Sequence, residues 1–160
     1  MPTVLDLLRT ATNRCSTGCS YLDRCVGGGV PTRCITEFVG ESTAAKTQFC
    51  LQMLLSVQTP RDCGGLGGSA LYIHTEGPAP ISRLREMAEA RHASSVDASR
   101  ASPAPETALD RIYVEKVFED TDQLLRTLER VQALLARQAG SDSPVRLLVL
   151  DSVSNLFRDV

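Results

Sequence analysis

Lys46 and Thr47 follow Gly40 at the spacing of a phosphate-cradling loop. The stretch "GESTAAKT", residues 40–47, fits G-x-x-x-x-G-K-[ST] except at the sixth place, where Ala45 stands for glycine. In such a loop, backbone N–H groups and the positive end of the next helix face phosphate oxygens. Gly40, Glu41, Ser42, Thr43, Ala44 and Ala45 would supply the wrapping backbone. Lys46 would reach the β- and γ-phosphates, and the Thr47 hydroxyl would ligate Mg²⁺. The alanine form of the pattern arises by chance in roughly one chain in a hundred of this size. An exposed turn leading into a helix cap is the plain alternative.

Ala45 carries a Cβ where the wrapping backbone normally has none. If the position requires positive φ, the cost is about 1–2 kcal/mol, roughly tenfold or a little more in affinity. If φ is negative, the cost is nearly nil. The expectation is ATP binding that is weakened, not abolished.

Two acids complete the set. Asp151 closes "LLVLD" at the C-terminal end of an aliphatic run, where ligands sit in open α/β sheets. There it can hold Mg²⁺ through water, although an aspartate after a strand often simply caps a helix. Glu76 ends "LYIHTE" and can orient a water against a γ-phosphate as the catalytic acid. A solvated glutamate at a strand end is its bland counterpart. Each acid is weak evidence alone, and the three signals support one another.

These residues need a scaffold, and the sequence describes one. "CITEFV" (34–39) reads as a short strand before the loop. "AKTQFCLQMLLSVQ" places Phe49, Met53, Leu54 and Val57 at helical spacing, up to Pro60. "ALYIHTE" (70–76), "RIYVEKV" (111–117) and "VRLLVLD" (145–151) read as further strands. "SRLREMAEARH" reads as a helix. "DTDQLLRTLERVQALLARQA" reads as an amphipathic helix with the stripe Leu124, Leu128, Val131 and Leu135. Near-continuously hydrophobic strands alternating with helices indicate an α/β fold, a parallel sheet covered on both faces. Residues 1–33 read as a helix and a glycine-rich lead-in, 34–160 as the core, and 91–110 as a flexible Ala/Ser/Pro-rich loop.

Composition narrows the field. The 160 residues are 42% hydrophobic and 22% charged, with a formal net charge of −2, an ordinary globular balance. No apolar run approaches the roughly 18 residues of a membrane span, and the N-terminus lacks a signal-peptide layout, so an intracellular protein without a membrane partner is expected. Lys46 and Lys116 are the two lysines, and no basic cluster exists to grip nucleic acid autonomously. The six cysteines include no C-x-x-C pair, and small core or surface thiols are expected.

Three blocks carry a more specific signal. "CITEFVGESTAAKTQFCLQMLLSVQ", "GGLGGSALYIHTEG" and "LLVLDSVSNLFR" resemble the Walker A, catalytic-glutamate and Walker B blocks of the RecA-like recombinase family. "STGCSYLDRCVGGGVPTRCITEFVGE" is similar to that family's lead-in. Within the family the likeness is to the eukaryotic paralogues of homologous repair, the X-ray repair cross-complementing branch in its plant form. It spans about residues 16–158 and is weakest across 91–110.

The resemblance implies a RecA-like P-loop NTPase core. It assigns ATP and Mg²⁺ to Lys46 and Thr47, the water-activating role to Glu76 and the Walker B role to Asp151. It also implies a partner paralogue in a heterodimer, contact with single-stranded or junction DNA through that complex, and a nuclear role in recombination repair. Family members continue well past Walker B, and in their sheets the strand after it lies between the P-loop strand and the Walker B strand. This sequence ends nine residues after Asp151, so the expected core is C-terminally incomplete, with a gap in the sheet, and incomplete as an enzyme. The family's Phe-x-x-Ala assembly signature is not found at Phe38, Phe49, Phe118 or Phe157.

Two other classes stay open. A P-loop phosphotransferase acting on a small metabolite would share Lys46 and Thr47, with Arg91 and Arg100 as its sole lid arginines in 91–110. A non-catalytic interaction protein would dock its core on a partner.

Overall fold

The structure is a computed structural model and describes residues 13–94, 103–118 and 120–157. In chain order the elements are β1 (Arg14–Cys15), α1 (Ser20–Cys25), β2 (Val30–Pro31), α2 (Lys46–Ser56), β3 (Ser69–His74), α3 (Ile81–Ala93), α4 (Pro105–Asp110), β4 (Ile112–Lys116), α5 (Thr121–Gln138) and β5 (Val145–Asp151). Single 3₁₀ turns follow at Arg61–Cys63 and Ser154–Phe157.

β3 is the centre of a three-stranded parallel sheet in the order β4-β3-β5. Its register sets His74 opposite Lys116 on one side and opposite Asp151 on the other. All six residues of β3 are buried, as a near-continuous apolar run between two strands and two helix layers must be. The pleat alternates its side chains. Ala70 and Tyr72 join Leu51, Leu54, Leu84, Ala88 and Val149 in one core cluster. Leu71 and Ile73 join Val117, Leu124 and Val131 in a second. Helices α2, α3 and α4 thus cover one face and α5 the other, the RecA-like α/β arrangement expected from the sequence.

The lead-in is a small unit of its own. β1 and β2 pair antiparallel, and Asp23 on α1 accepts bonds from the Ser16 hydroxyl at 2.6 Å, the Thr17 N–H at 2.8 Å and the Thr17 hydroxyl at 2.8 Å. The Ser16 N–H donates to Gly64 O at 2.8 Å and ties this unit to the core. Residues 1–12, where much of the expected N-terminal helix falls, lie outside the described residues.

Several expectations are corrected. "CITEFV" forms no strand: residues 35–39 belong to no ladder, and Ile35 and Val39 are 100% and 84% exposed. A short β-rich run becomes a strand only when a neighbour accepts its backbone bonds, and none of the described strands lies beside it. The other edge of β5 likewise pairs with no described strand. Among the described residues β4 and β5 are therefore edges, half-open where the sequence suggested full burial: Tyr113, Val114 and Leu148 are exposed.

On α5 the buried face is Leu124, Thr127 and Val131, while Leu128 and Leu135 of the expected stripe are exposed. The loop expected at 91–110 is narrower, because α3 runs through Ala93 and α4 occupies Pro105–Asp110.

Candidate nucleotide-binding site

The loop between residues 39 and 46 ends in a left-handed turn. Thr43 and Ala45 have φ of 69° and 61°, and Ala45 is the N-cap of α2 with ψ of 21°. That is the conformation in which a Cβ is costly, so the first of the two alternatives for Ala45 applies. The first intrahelical bond runs from the Phe49 N–H to Ala45 O at 2.9 Å. The Lys46, Thr47 and Gln48 amides precede it and mark the positive end of the helix. The first turn of α2 carries no acid to neutralise that end. Lys46 spans the loop, its Nζ donating to Gly40 O and Glu41 O at 2.8 Å each.

Thr47, one residue on, points to the sheet. Its hydroxyl donates to Asp151 Oδ2 at 2.7 Å, and the Tyr72 hydroxyl donates to the same oxygen at 3.1 Å. The end of β5 is laced to the end of β3. The Thr75 N–H donates to Asp151 O at 3.0 Å, the Thr75 hydroxyl donates to Ser152 O at 2.7 Å and accepts from the Ser152 N–H at 3.1 Å, and Asn155 Nδ2 donates to Thr75 O at 2.8 Å. The Ser152 hydroxyl donates to Glu76 Oε1 at 3.3 Å, bringing Glu76 to the same end of the sheet as Asp151.

Thr47, Tyr72, Glu76 and Asp151, with Pro78 and Pro80, line one cavity of about 250 Å³. Three residues singled out in the sequence, 47, 76 and 151, thus converge at the carboxyl ends of β3 and β5, beside the loop of residues 40–46. Burial, with help from the Asp151 carboxylate, raises the Tyr72 phenol well above its ordinary range, so it stays a protonated donor. Burial, and after it Asp151, also pushes the Cys50 thiol up to about 11.

The donor set suits a hard divalent cation. Thr47 Oγ1 and the Asp151 carboxylate are oxygen atoms side by side, the kind Mg²⁺ prefers together with phosphate oxygens and water. Among the described residues no group of three or more His, Cys, Asp or Glu is placed to hold a metal.

Tyr72 is the member of the site that the sequence reading missed. A tyrosine inside a buried apolar strand needs a partner for its hydroxyl, and this was the available signal. Arg91, considered above as a lid arginine, turns inward instead, donating to Ser56 Oγ at 3.0 Å and Thr59 Oγ1 at 2.8 Å. Arg100 lies outside the described residues.

The Rad51 family model matches residues 8–160. The chain belongs to the Rad51 family. It is 39% identical over 153 residues to the DNA repair protein XRCC3 homolog of Arabidopsis thaliana, covering 95% of this chain and 49% of that protein. It is 34% identical over 137 residues to the DNA repair and recombination protein RadA of Methanocorpusculum labreanum, covering 86% of this chain and 41% of that one. It is 35% identical over 150 residues to the RadA of Metallosphaera sedula, covering 94% and 42%. This Rad51-family chain therefore spans less than half the length of each of these curated relatives.

Proposed function

We propose that the chain is an ATP-binding recombinase-paralogue subunit that assists homologous recombination repair of DNA breaks and junction processing in the nucleus. The observation that carries this reading is the Thr47–Asp151 bond in the wall of the cavity that Glu76 also lines. It joins the loop of Gly40, Glu41, Ser42, Thr43, Ala44, Ala45 and Lys46 to the acid at the end of β5. The names of the relatives, DNA repair and recombination proteins, support the biological setting.

In this reading the loop amides and Lys46 hold the phosphates, and Thr47 and Asp151 hold Mg²⁺. The cation would neutralise phosphate charge. Glu76 orients a water at the cavity, with the Ser152 hydroxyl fixing its carboxylate. The chain acts with a second recombinase paralogue, and DNA, single-stranded or branched, is reached through that complex, since the chain has no concentrated positive charge of its own.

Titration with a fluorescent ATP analogue and Mg²⁺ tests the reading. Saturable binding lost in Lys46→Ala, with thermal unfolding unchanged, is the expected result. Binding that ignores Lys46 would refute it.

A second reading, a non-catalytic interaction protein, has its own support in the edge of β5 that pairs with no described strand and in the fully exposed Ile35. Tight association with a paralogue that persists in Lys46→Ala and without nucleotide would favour it. The phosphotransferase alternative has no such observation, because Arg91 is engaged inside the fold.

A further inference from the structure

We infer that Tyr72 is a positioning residue for the metal-holding carboxylate of Asp151, an inference that rests on the Mg²⁺-nucleotide reading of the site. Tyr72 is 3% exposed, and its ring is fixed in the strand by packing and by a stacked contact with His74, centroids 5.9 Å apart. Its position in β3 pairs with Val149, two residues before Asp151 on β5. The hydroxyl therefore reaches Asp151 from β3, while Thr47 reaches the same Oδ2 from the first turn of α2.

Two donors on Oδ2 orient the carboxylate group. A rigid tyrosine suits that task better than a longer, freer donor, because its ring is held by packing and only its hydroxyl, which donates to Asp151 Oδ2, can move. The phenol fixes the carboxylate's direction by occupying part of its acceptor capacity. Tyr72 touches neither nucleotide nor attacking water in this arrangement; it acts through Asp151.

The decisive experiment measures the Mg²⁺ concentration that gives half-maximal binding of a fluorescent ATP analogue, together with binding of the same analogue in chelator and thermal unfolding. Tyr72→Phe keeps the ring and removes the hydroxyl. Its expected signature is a Mg²⁺ midpoint raised about tenfold, with chelator-phase binding unchanged. The shift should vanish when both proteins already carry Asp151→Asn, since the hydroxyl then has no carboxylate to orient. An unchanged midpoint, a lowered melting temperature without a midpoint shift, or an equal shift in the Asp151→Asn background would each overturn the role assigned to Tyr72. Wild-type chain that shows no Mg²⁺-dependent binding at all would instead overturn the nucleotide reading, and this inference with it.

Discussion

The Thr47 hydroxyl donates to Asp151 Oδ2 at 2.7 Å, a bond between residues 104 positions apart. It fastens the first turn of α2 to the C-terminal end of β5, so the loop cannot drift from the sheet without breaking it. Both residues are half-buried, in a place where the carboxylate still faces a cavity.

Asp151→Asn should separate charge from shape. The amide oxygen still accepts from Thr47 and Tyr72, so the fold should survive with little change in melting temperature. The part of nucleotide affinity that depends on Mg²⁺ should fall roughly 10–100-fold, while binding in chelator stays as it was. Calorimetric titrations with and without Mg²⁺ check this. An equal loss in both would mean that the aspartate supports the loop and not an ion.

Ala45→Gly should release strain. The left-handed backbone at Ala45, φ of 61°, costs an L-residue about 1–2 kcal/mol, and glycine removes that cost while adding about 0.4–1 kcal/mol of unfolded-chain entropy. Where the strain is felt decides the readout. If nucleotide binding demands this conformation, affinity rises by up to about tenfold. If the folded chain holds it regardless, the gain appears as a small rise in melting temperature. Measuring both on the same variant closes the account; no change in either would mean that the alanine is harmless.

The α5 helix shows what a sequence reveals and what it leaves out. Its existence and its near-complete span were legible, because periodicity marked an apolar side; its cap, the Asp120 side chain accepting from the Gln123 N–H at 2.7 Å, came from the structure. Which apolar residues face the sheet was not legible, because that depends on how many strands lie beneath the helix. With three described strands, Leu124 and Val131 are buried and Leu128 and Leu135 are not.

The same dependence hid the fate of "CITEFV", a run of strand-forming residues with no described neighbour to pair with. The placement of Thr47, Glu76 and Asp151 together was more legible. A loop, a strand end and a second strand end are each local signals, and a parallel sheet puts its strand ends on one side by construction. Tyr72 escaped notice because a pleat position, and not a motif, aims its hydroxyl. The burial pattern makes a counterintuitive prediction: Val131→Ala should cost about 2 kcal/mol, and the larger truncation Leu135→Ala no more than about 0.5 kcal/mol. Urea midpoints at constant slope measure both. Equal costs would show that something covers Leu135.

The lead-in should loosen in acid. Asp23 takes three bonds, from the Ser16 hydroxyl and from the amide and hydroxyl of Thr17. Burial alone pushes its carboxyl up, but these bonds together outweigh burial and hold it below its ordinary 3.8. The folded state thus takes up this proton less readily than the unfolded chain does. The associated stability is fully present above 3.8 and drains away as pH falls through the lower, folded-state value. Asp23→Asn, which cannot accept all three bonds with a charged group, should melt below wild type at neutral pH. The gap should narrow steadily once pH drops past 3.8. Thermal unfolding of both proteins along that acid limb is the measurement. A gap that stays constant to the lowest pH would mean that the three donors hold the neutral carboxyl as well as they hold the carboxylate.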